Sequence, residues 1–392
     1  MKLSIDINGA RCAILVLALA CHAASADEPG WLYYGGDQGG KHYSSADQIN
    51  RDNVADLEVA WTHRSGDMER YGQEMKKTST QSTPILLPAA AGESLVYCTP
   101  FNQVFALDPA TGEQRWNFDP QINRGGDRPF RCRGVSYTEQ RDVPAGEACR
   151  HRLFLSTHDR RLWAIDAIDG KPCQDFGDNG SLALYGNEGH APGDVSNSSA
   201  PLVANGVVVT GSVVLDFARS KTPRGTVLAF DSGSGLPLWQ FDPLQGHENS
   251  GSANVWAPMS VDEANGLLYL PTSAPSPDYY GAARPGNNLY ANSIVAVDLY
   301  SGQVRWHFQH VRHDLWDYDS PAQPILFQWN KNGESIPAVA QLTKQGFVFV
   351  FNRLTGESLW EITEQPVPPS QIPGEMTSPT QPKPIAPPQL LN

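Results

Sequence analysis

Ala106-Leu107-Asp108-Pro109-Ala110-Thr111-Gly112-Glu113-Gln114-Arg115-Trp116 is one copy of a pattern that recurs along this chain. An apolar run ends at aspartate, glycine follows four residues later, and tryptophan four after that. The pattern returns at Asp231, Gly235 and Trp239, and again at Asp298, Gly302 and Trp306. A weaker copy has Asn352, Gly356 and Trp360; a degenerate one has Asp166 and Gly170 but Gln174 in place of tryptophan. Trp61 reads as the tail of an earlier copy. Each copy has one physical logic. A strand ends at Asp, whose side chain caps a tight turn. Gly supplies the positive φ of that turn, and the next strand carries a Trp that docks on a neighbouring unit. A further apolar run precedes each turn, at residues 94–97, 152–155, 207–210 and 267–270. One copy alone is an ordinary β-hairpin. Five copies, roughly 55–65 residues apart, are a repeat architecture with blades longer than the minimal 40–45 residues or so. The expectation is an all-β chain folded as a β-propeller. Its docking tryptophans are structural.

Composition bounds the function. The chain carries 29 basic and 42 acidic residues, a net charge of -13, which excludes a nucleic-acid backbone as partner. Lys2 and Arg11 precede the short apolar run 12–20, which is too short to span a membrane, and Ala24-Ser25-Ala26 is a small-x-small cleavage site. Residues 1–26 are therefore read as a signal peptide cleaved near Ala26, giving a periplasmic chain; a lipoprotein attachment at Cys21 is the competing reading. Any membrane contact is expected to be peripheral. Four cysteines remain: Cys98, Cys132, Cys149 and Cys173. An even number in an exported chain points to disulfides. Cys132 with Cys149 is the most local pairing, worth about 3 kcal/mol as a loop closure, and two other connectivities stay open. The propeller is assigned residues 27–365. Residues 366–392, rich in proline, read as an extended tail without strands.

The chemistry concentrates in His313-Asp314-Leu315-Trp316-Asp317-Tyr318-Asp319-Ser320-Pro321-Ala322-Gln323-Pro324. Two prolines rule out helix or central strand, so this is an ordered loop, where catalytic groups tend to sit. Asp317 is the candidate general base. Asp314 and Asp319 are read as structural, bonding loop amides. Lys344 follows 27 residues after Asp317, entering a strand.

The docked repeat together with this loop resembles the pyrroloquinoline quinone (PQQ) dependent dehydrogenases over residues 31–382, most closely the glucose, quinate and shikimate branch. Further segments that look like that branch are Trp31-Leu32-Tyr33-Tyr34-Gly35-Gly36-Asp37, Ile49-Asn50-Arg51-Asp52-Asn53-Val54 and Cys132-Arg133-Gly134-Val135-Ser136-Tyr137. The resemblance implies an eight-bladed quinoprotein propeller, of which about five to six blades fall in this chain, with PQQ and Ca²⁺ (or Mg²⁺) near the axis. Carried over by position, Asp317 matches the catalytic aspartate and Lys344 the basic residue on the quinone oxygens. Arg133 matches the arginine that pairs with a PQQ carboxylate, and Asp216 and Asn254, with Asp317, fall where the family places oxygen ligands to the metal. Ser212 and Gln81 fall beside the cofactor. Two departures stand out: Phe217 where the branch has asparagine, and Gln81 where glutamate is common. The family also runs on for about three more blades.

The function implied is oxidation of a sugar, polyol or cyclic alcohol, with electrons passed to ubiquinone or a cytochrome c. Two other readings compete. One is a non-catalytic propeller scaffold of the outer-membrane assembly type, against which the joint presence of Asp317, Lys344 and Arg133 speaks. The other is an inactive shortened remnant of the enzyme.

Overall fold

The computed structural model describes residues 30–126, 129–184, 193–216, 221–247 and 249–391. The leader at residues 1–26, Cys21 and Phe217 lie outside the described residues.

Five antiparallel sheets follow one another in chain order. The first holds Ile85–Leu86, Leu95–Cys98, Val104–Leu107 and Gln114–Phe118; the second Ser136–Glu139, His151–Ser156, Arg161–Asp166 and Ser181–Ala183. The third holds Leu202–Ala204, Val207–Thr210, Val227–Asp231 and Pro237–Phe241; the fourth Ser260–Asp262, Leu267–Pro271, Ser293–Asp298 and Val304–Gln309. The fifth has three strands, Ile325–Lys331, Glu334–Leu342 and Val348–Asn352. Each is a meander of sequential neighbours, the blade of a propeller. Alternate residues of each strand face opposite sides, so every blade feeds two cores. Phe154, Leu162 and Ala164 of the second blade pack with Val203, Val208 and Phe230 of the third. Val209, Val227 and Ala229 on the other face of the third pack with Leu268, Val295 and Val297 of the fourth.

The repeat is visible at atomic detail. Asp108 Oδ1 accepts from the amides of Ala110 and Thr111, each at 2.9 Å, and Gly112, at φ 74°, donates back to Asp108 O at 2.9 Å. The glycine also leaves room for the tryptophan of the preceding unit. A Cβ on Gly302 would meet the Trp239 ring at 2.6 Å, and one on Gly356 the Trp306 ring at 2.8 Å. Trp61 and Trp116 lie in the same way against Gly112 and Gly170. Where Gln174 replaces the tryptophan, Leu182 and Phe176 occupy the space over Gly235. Trp360, at the last copy, packs edge-on against Trp329 of its own blade, 5.2 Å between centroids.

Two expectations change. The disulfides are Cys98–Cys132 and Cys149–Cys173. The strand Ser136–Glu139 separates Cys132 from Cys149 and holds them at opposite ends of the second blade, so the most local pair cannot meet. The tail also contains a strand: Thr380–Pro384 pairs antiparallel with Ile362–Pro366. Its prolines fit because a two-stranded ribbon has solvent-facing edges that need no amide donor.

Meander topology puts the site at one end. First and third strands run down from an upper end; second and fourth run back. Starts of first strands and ends of second strands therefore share the upper end, and the Asp–Gly turns share the lower. Successive upper leads are joined, Thr83 N to Arg133 O at 2.9 Å and Arg133 N to Ser198 O at 2.7 Å. Residues 31–40 cross the first strands of several blades, bonding at Leu86, Val203, Val261 and Leu326.

Candidate functional site

The loop between the fourth and fifth blades is folded around Asp314. This carboxylate, 1% exposed, accepts from the amides of Trp316 and Tyr318 at 2.9 and 2.7 Å and from Asn292 Nδ2 at 2.8 Å. Those bonds confirm a structural role and turn the chain so that Asp317 sits at φ 59°. Aspartate tolerates that left-handed conformation better than most residues, yet it is uncommon and marks a constrained position.

Lys344 arrives from the end of the second strand of the fifth blade. Its Nζ donates to the backbone O of Asp317 at 2.8 Å and contacts Asp317 Oδ2 at 3.1 Å and Asp319 Oδ2 at 2.9 Å. Asp319 Oδ1 accepts from Ala274 N at 2.8 Å, which ties the group to the fourth blade. Asp319 therefore does more than bond loop amides: it shares the ammonium of Lys344. Burial and the charge of Asp319 push Asp317 up to about 6, with Lys344 opposing. Burial acts to lower Lys344, but Asp319 and Asp317 outweigh it and the net shift is upward. A carboxylate near 6 beside a fixed ammonium is matched to proton abstraction near neutral pH.

Arg133 sits at the start of the second blade, 9% exposed. Its guanidinium donates to Ser198 Oγ and, at 3.4 Å, to Trp256 O, and lies 5.2 Å over the Trp256 ring. Among the described residues no carboxylate reaches it, and burial pulls it down to about 10. Ser212 Oγ nearby is buried without a hydrogen-bond partner and lines a small cavity with Ser198, Ser199 and Trp256. A buried cation with neutral partners, an aromatic face and an unused hydroxyl make a receptor for the carboxylate of a flat, anionic ligand.

Between these groups Ser252 Oγ donates to Asn254 Oδ1 at 2.8 Å and to Asp216 Oδ2 at 3.3 Å, while Asn254 Nδ2 donates to Ser212 O at 2.7 Å. The amide of Asn254 is thus engaged at both ends, with one carbonyl lone pair left. Asp216, Asn254 and Asp317 present the hard oxygen donors that suit an alkaline-earth cation. Gln81, by contrast, is exposed and makes no hydrogen bond to either cluster. His313 is bonded at Nδ1 to Gly286 O at 2.7 Å, while its Nε2 is buried without a partner. Cys149, Cys173 and Asp175 lie close enough to suggest a metal, but both sulfurs are spent in the disulfide.

Sequence reasoning missed Asp278. It is 4% exposed, and its Oδ1 has no hydrogen-bond partner. Burial raises it to about 8, the charges of Asp216, Asp317 and Asp319 add to the rise, and Arg284 opposes it. In Ser276-Pro277-Asp278 it reads as a plain turn aspartate; only burial among distant carboxylates sets it apart.

The chain is similar to known proteins over most of its length. Residues 31–392 match the PQQ family described as glucose/ethanol/alcohol dehydrogenase, β-propeller domain. Quinoprotein glucose dehydrogenase A of Acinetobacter calcoaceticus is 36% identical over 387 residues, 91% of this chain and 47% of the relative. Quinate/shikimate dehydrogenase (quinone) of Acinetobacter baylyi is 34% identical over 392 residues, 92% of this chain and 47% of the relative. The crystal structure of quinohemoprotein alcohol dehydrogenase from Comamonas testosteroni superposes with a TM-score of 0.70 at 25% identity, covering 93% of this chain and 53% of that one. The chain spans about half the length of the curated relatives it matches. On the blade repeat, the Asp317–Lys344 pair and this match together, the chain belongs to the β-propeller family of the PQQ-dependent dehydrogenases.

Proposed function

We propose that this chain forms the PQQ-holding part of a periplasmic dehydrogenase that oxidises a hydroxyl of a sugar, polyol or cyclic alcohol. The observation that carries the reading is Lys344 Nζ, from the fifth blade, fixed between Asp317 and Asp319 of the loop that joins the fourth and fifth. Relatives named for glucose, for quinate and shikimate, and for alcohol support the substrate class.

Bound PQQ supplies a hydride-accepting quinone, and Ca²⁺ (or Mg²⁺) a Lewis acid beside it. The chain's own residues do the rest. Asp317 Oδ2 takes the proton of the substrate hydroxyl. Lys344 holds that carboxylate in place and presents an ammonium toward developing negative charge. Arg133, without a carboxylate partner, pairs with a carboxylate of the cofactor, and Trp256 and Ser212 line the same place. Asp216 and Asn254, with Asp317, offer the oxygens for the cation. Electrons leave to ubiquinone or a cytochrome c. The two disulfides fit an oxidising compartment, and a peripheral membrane contact is part of the proposal.

The test is a titration of the purified chain with PQQ in the presence of calcium chloride, read as melting temperature. A saturable rise in wild type that disappears in Lys344→Ala is expected. No shift at any PQQ concentration would overturn the reading for this chain.

A further inference from the structure

Asp278 is buried, charged by composition, and unused by any role described so far. Three placements bring it to the cation oxygens. The strand Pro275–Ser276, which ends two residues before it, pairs with Gly251–Ser252, with Gly251 opposite Ser276 and Ser252 opposite Pro275. Ser252 Oγ in turn donates to Asp216. On the other side Ala274 N donates to Asp319, which shares Lys344 with Asp317. Asp278 is thus held between the Asp216 side and the Asp317 side of the site.

Ordinary structural roles do not fit it. A buried carboxyl kept for packing would have its oxygens bonded, yet Oδ1 is without a partner. Arg284 is the nearby cation, but its guanidinium is spent elsewhere. It donates to Pro277 O at 3.1 and 2.8 Å, to Asn288 Oδ1 at 2.9 Å, to Asp314 O, and to the backbone O of Asp278 at 3.4 Å. Arg284 therefore fixes the main chain of both loops and leaves the Asp278 carboxyl unpaired. Lys344 is already shared by Asp317 and Asp319. A buried carboxyl among three others, with an open oxygen and no ammonium or guanidinium among the described residues within ion-pair reach, is costly to ionise unless a cation completes it.

We infer that Asp278 is a ligand of a hard divalent cation at this site, acting with Asp216 and Asp317. The assignment rests on the cation reading above and adds a residue that positional resemblance does not supply. It also bears on Phe217: a third carboxylate offers an oxygen where the residue after Asp216 has none.

Calcium binding to the PQQ-free chain tests this by isothermal titration calorimetry at pH 7. Wild type is compared with Asp278→Asn and with Glu263→Gln, an exposed carboxylate remote from the site. Asp278→Asn is expected to melt no lower than wild type without calcium, because the amide has nearly the same shape and carries no charge to bury, and to bind calcium about tenfold or more weaker. Glu263→Gln should match wild type. Should Asp278→Asn melt early, Asp278→Ser carries the same comparison. Unchanged calcium affinity in the folded Asp278 variant, or no calcium binding by wild type, would overturn the inference. PQQ binding is followed separately by tryptophan fluorescence. Asp278-dependent calcium binding without PQQ binding would overturn the cofactor reading and leave this one standing; PQQ binding with calcium affinity indifferent to Asp278 would do the reverse.

Discussion

The lower and upper ends of this propeller are built on opposite principles. At the lower end one solution recurs: Asp caps, Gly turns, and Trp of the preceding unit covers the Gly, with Leu182 and Phe176 standing in at Gly235. At the upper end the blades contribute different residues, even where they use the same connection. Arg133 comes from the lead into the second blade, Asp216 from the connection between second and third strands of the third, Asp278 from that of the fourth, and Lys344 from that of the fifth. The cap aspartates of the lower end are satisfied by turn amides; upper-end residues include unpartnered oxygens on Asp278 and Ser212 and a guanidinium without a carboxylate. Stability is concentrated where the units are equivalent, and charge is held out of balance where they are not.

The hardest blow to that division is removal of a docking tryptophan. Trp306 is buried, donates from Nε1 to Arg353 O at 2.9 Å, and packs beside Tyr269 and Phe351 over Gly356. Trp306→Ala should cost about 3–5 kcal/mol of unfolding free energy, read by urea denaturation. Calcium affinity of the molecules still folded should be unchanged. A parallel loss of calcium affinity would show that the two ends are not separable. Gly302→Ala is the milder version. At φ 67° the new Cβ is strained, and it would meet Trp239 at 2.6 Å. A loss of about 2–3 kcal/mol is expected from strain and overpacking together. A loss below 1 kcal/mol or so would mean that the tryptophan moves aside cheaply and the docking is looser than it looks.

The same contrast explains what was legible in the sequence. The lower end repeats, so Asp108, Gly112 and Trp116 announce their fold wherever the spacing recurs. Even the degenerate copy was visible as a departure, though not that Leu182 and Phe176 would fill the gap. The upper end has no internal repeat to check a residue against. Asp317, Lys344 and Arg133 were legible through resemblance, and Asp317 and Lys344 do meet. Asp319 was underrated because a short loop can satisfy an aspartate locally, and only the fold brings Lys344 to it. Asp278 carried no signal, since Pro-Asp is common turn chemistry. Disulfides were expected of these four cysteines, but their pairing stayed open because chain distance is a poor guide once a strand stands between two cysteines. The strand at residues 380–384 escaped because proline argues against strands everywhere except at free edges.

That hairpin gives the smallest and most discriminating effect. It is fastened to the upper end at Arg312, immediately before the loop that carries Asp317. Arg312 N donates to Gln381 Oε1 at 2.8 Å, Gln381 Nε2 to Arg312 O at 2.6 Å, and the guanidinium forks onto Glu364 at 2.6 and 2.7 Å. The ion pair is the first cause holding Glu364 down at about 2. A carboxylate depressed in the folded state stabilises it above the unfolded value of about 4.5, and that contribution fades as pH falls from there toward 2. Because the Glu364 side chain is 48% exposed, solvent screening limits the pair to about 0.5 kcal/mol or less. Glu364→Gln should therefore shift the urea midpoint slightly at pH 7 and not at all near pH 2, with calcium affinity untouched at pH 7. A shift several times larger, or a change in calcium binding, would mean that the hairpin also sets the conformation of the loop carrying Asp317. The upper end would then depend on its clasp as the lower end depends on its tryptophans.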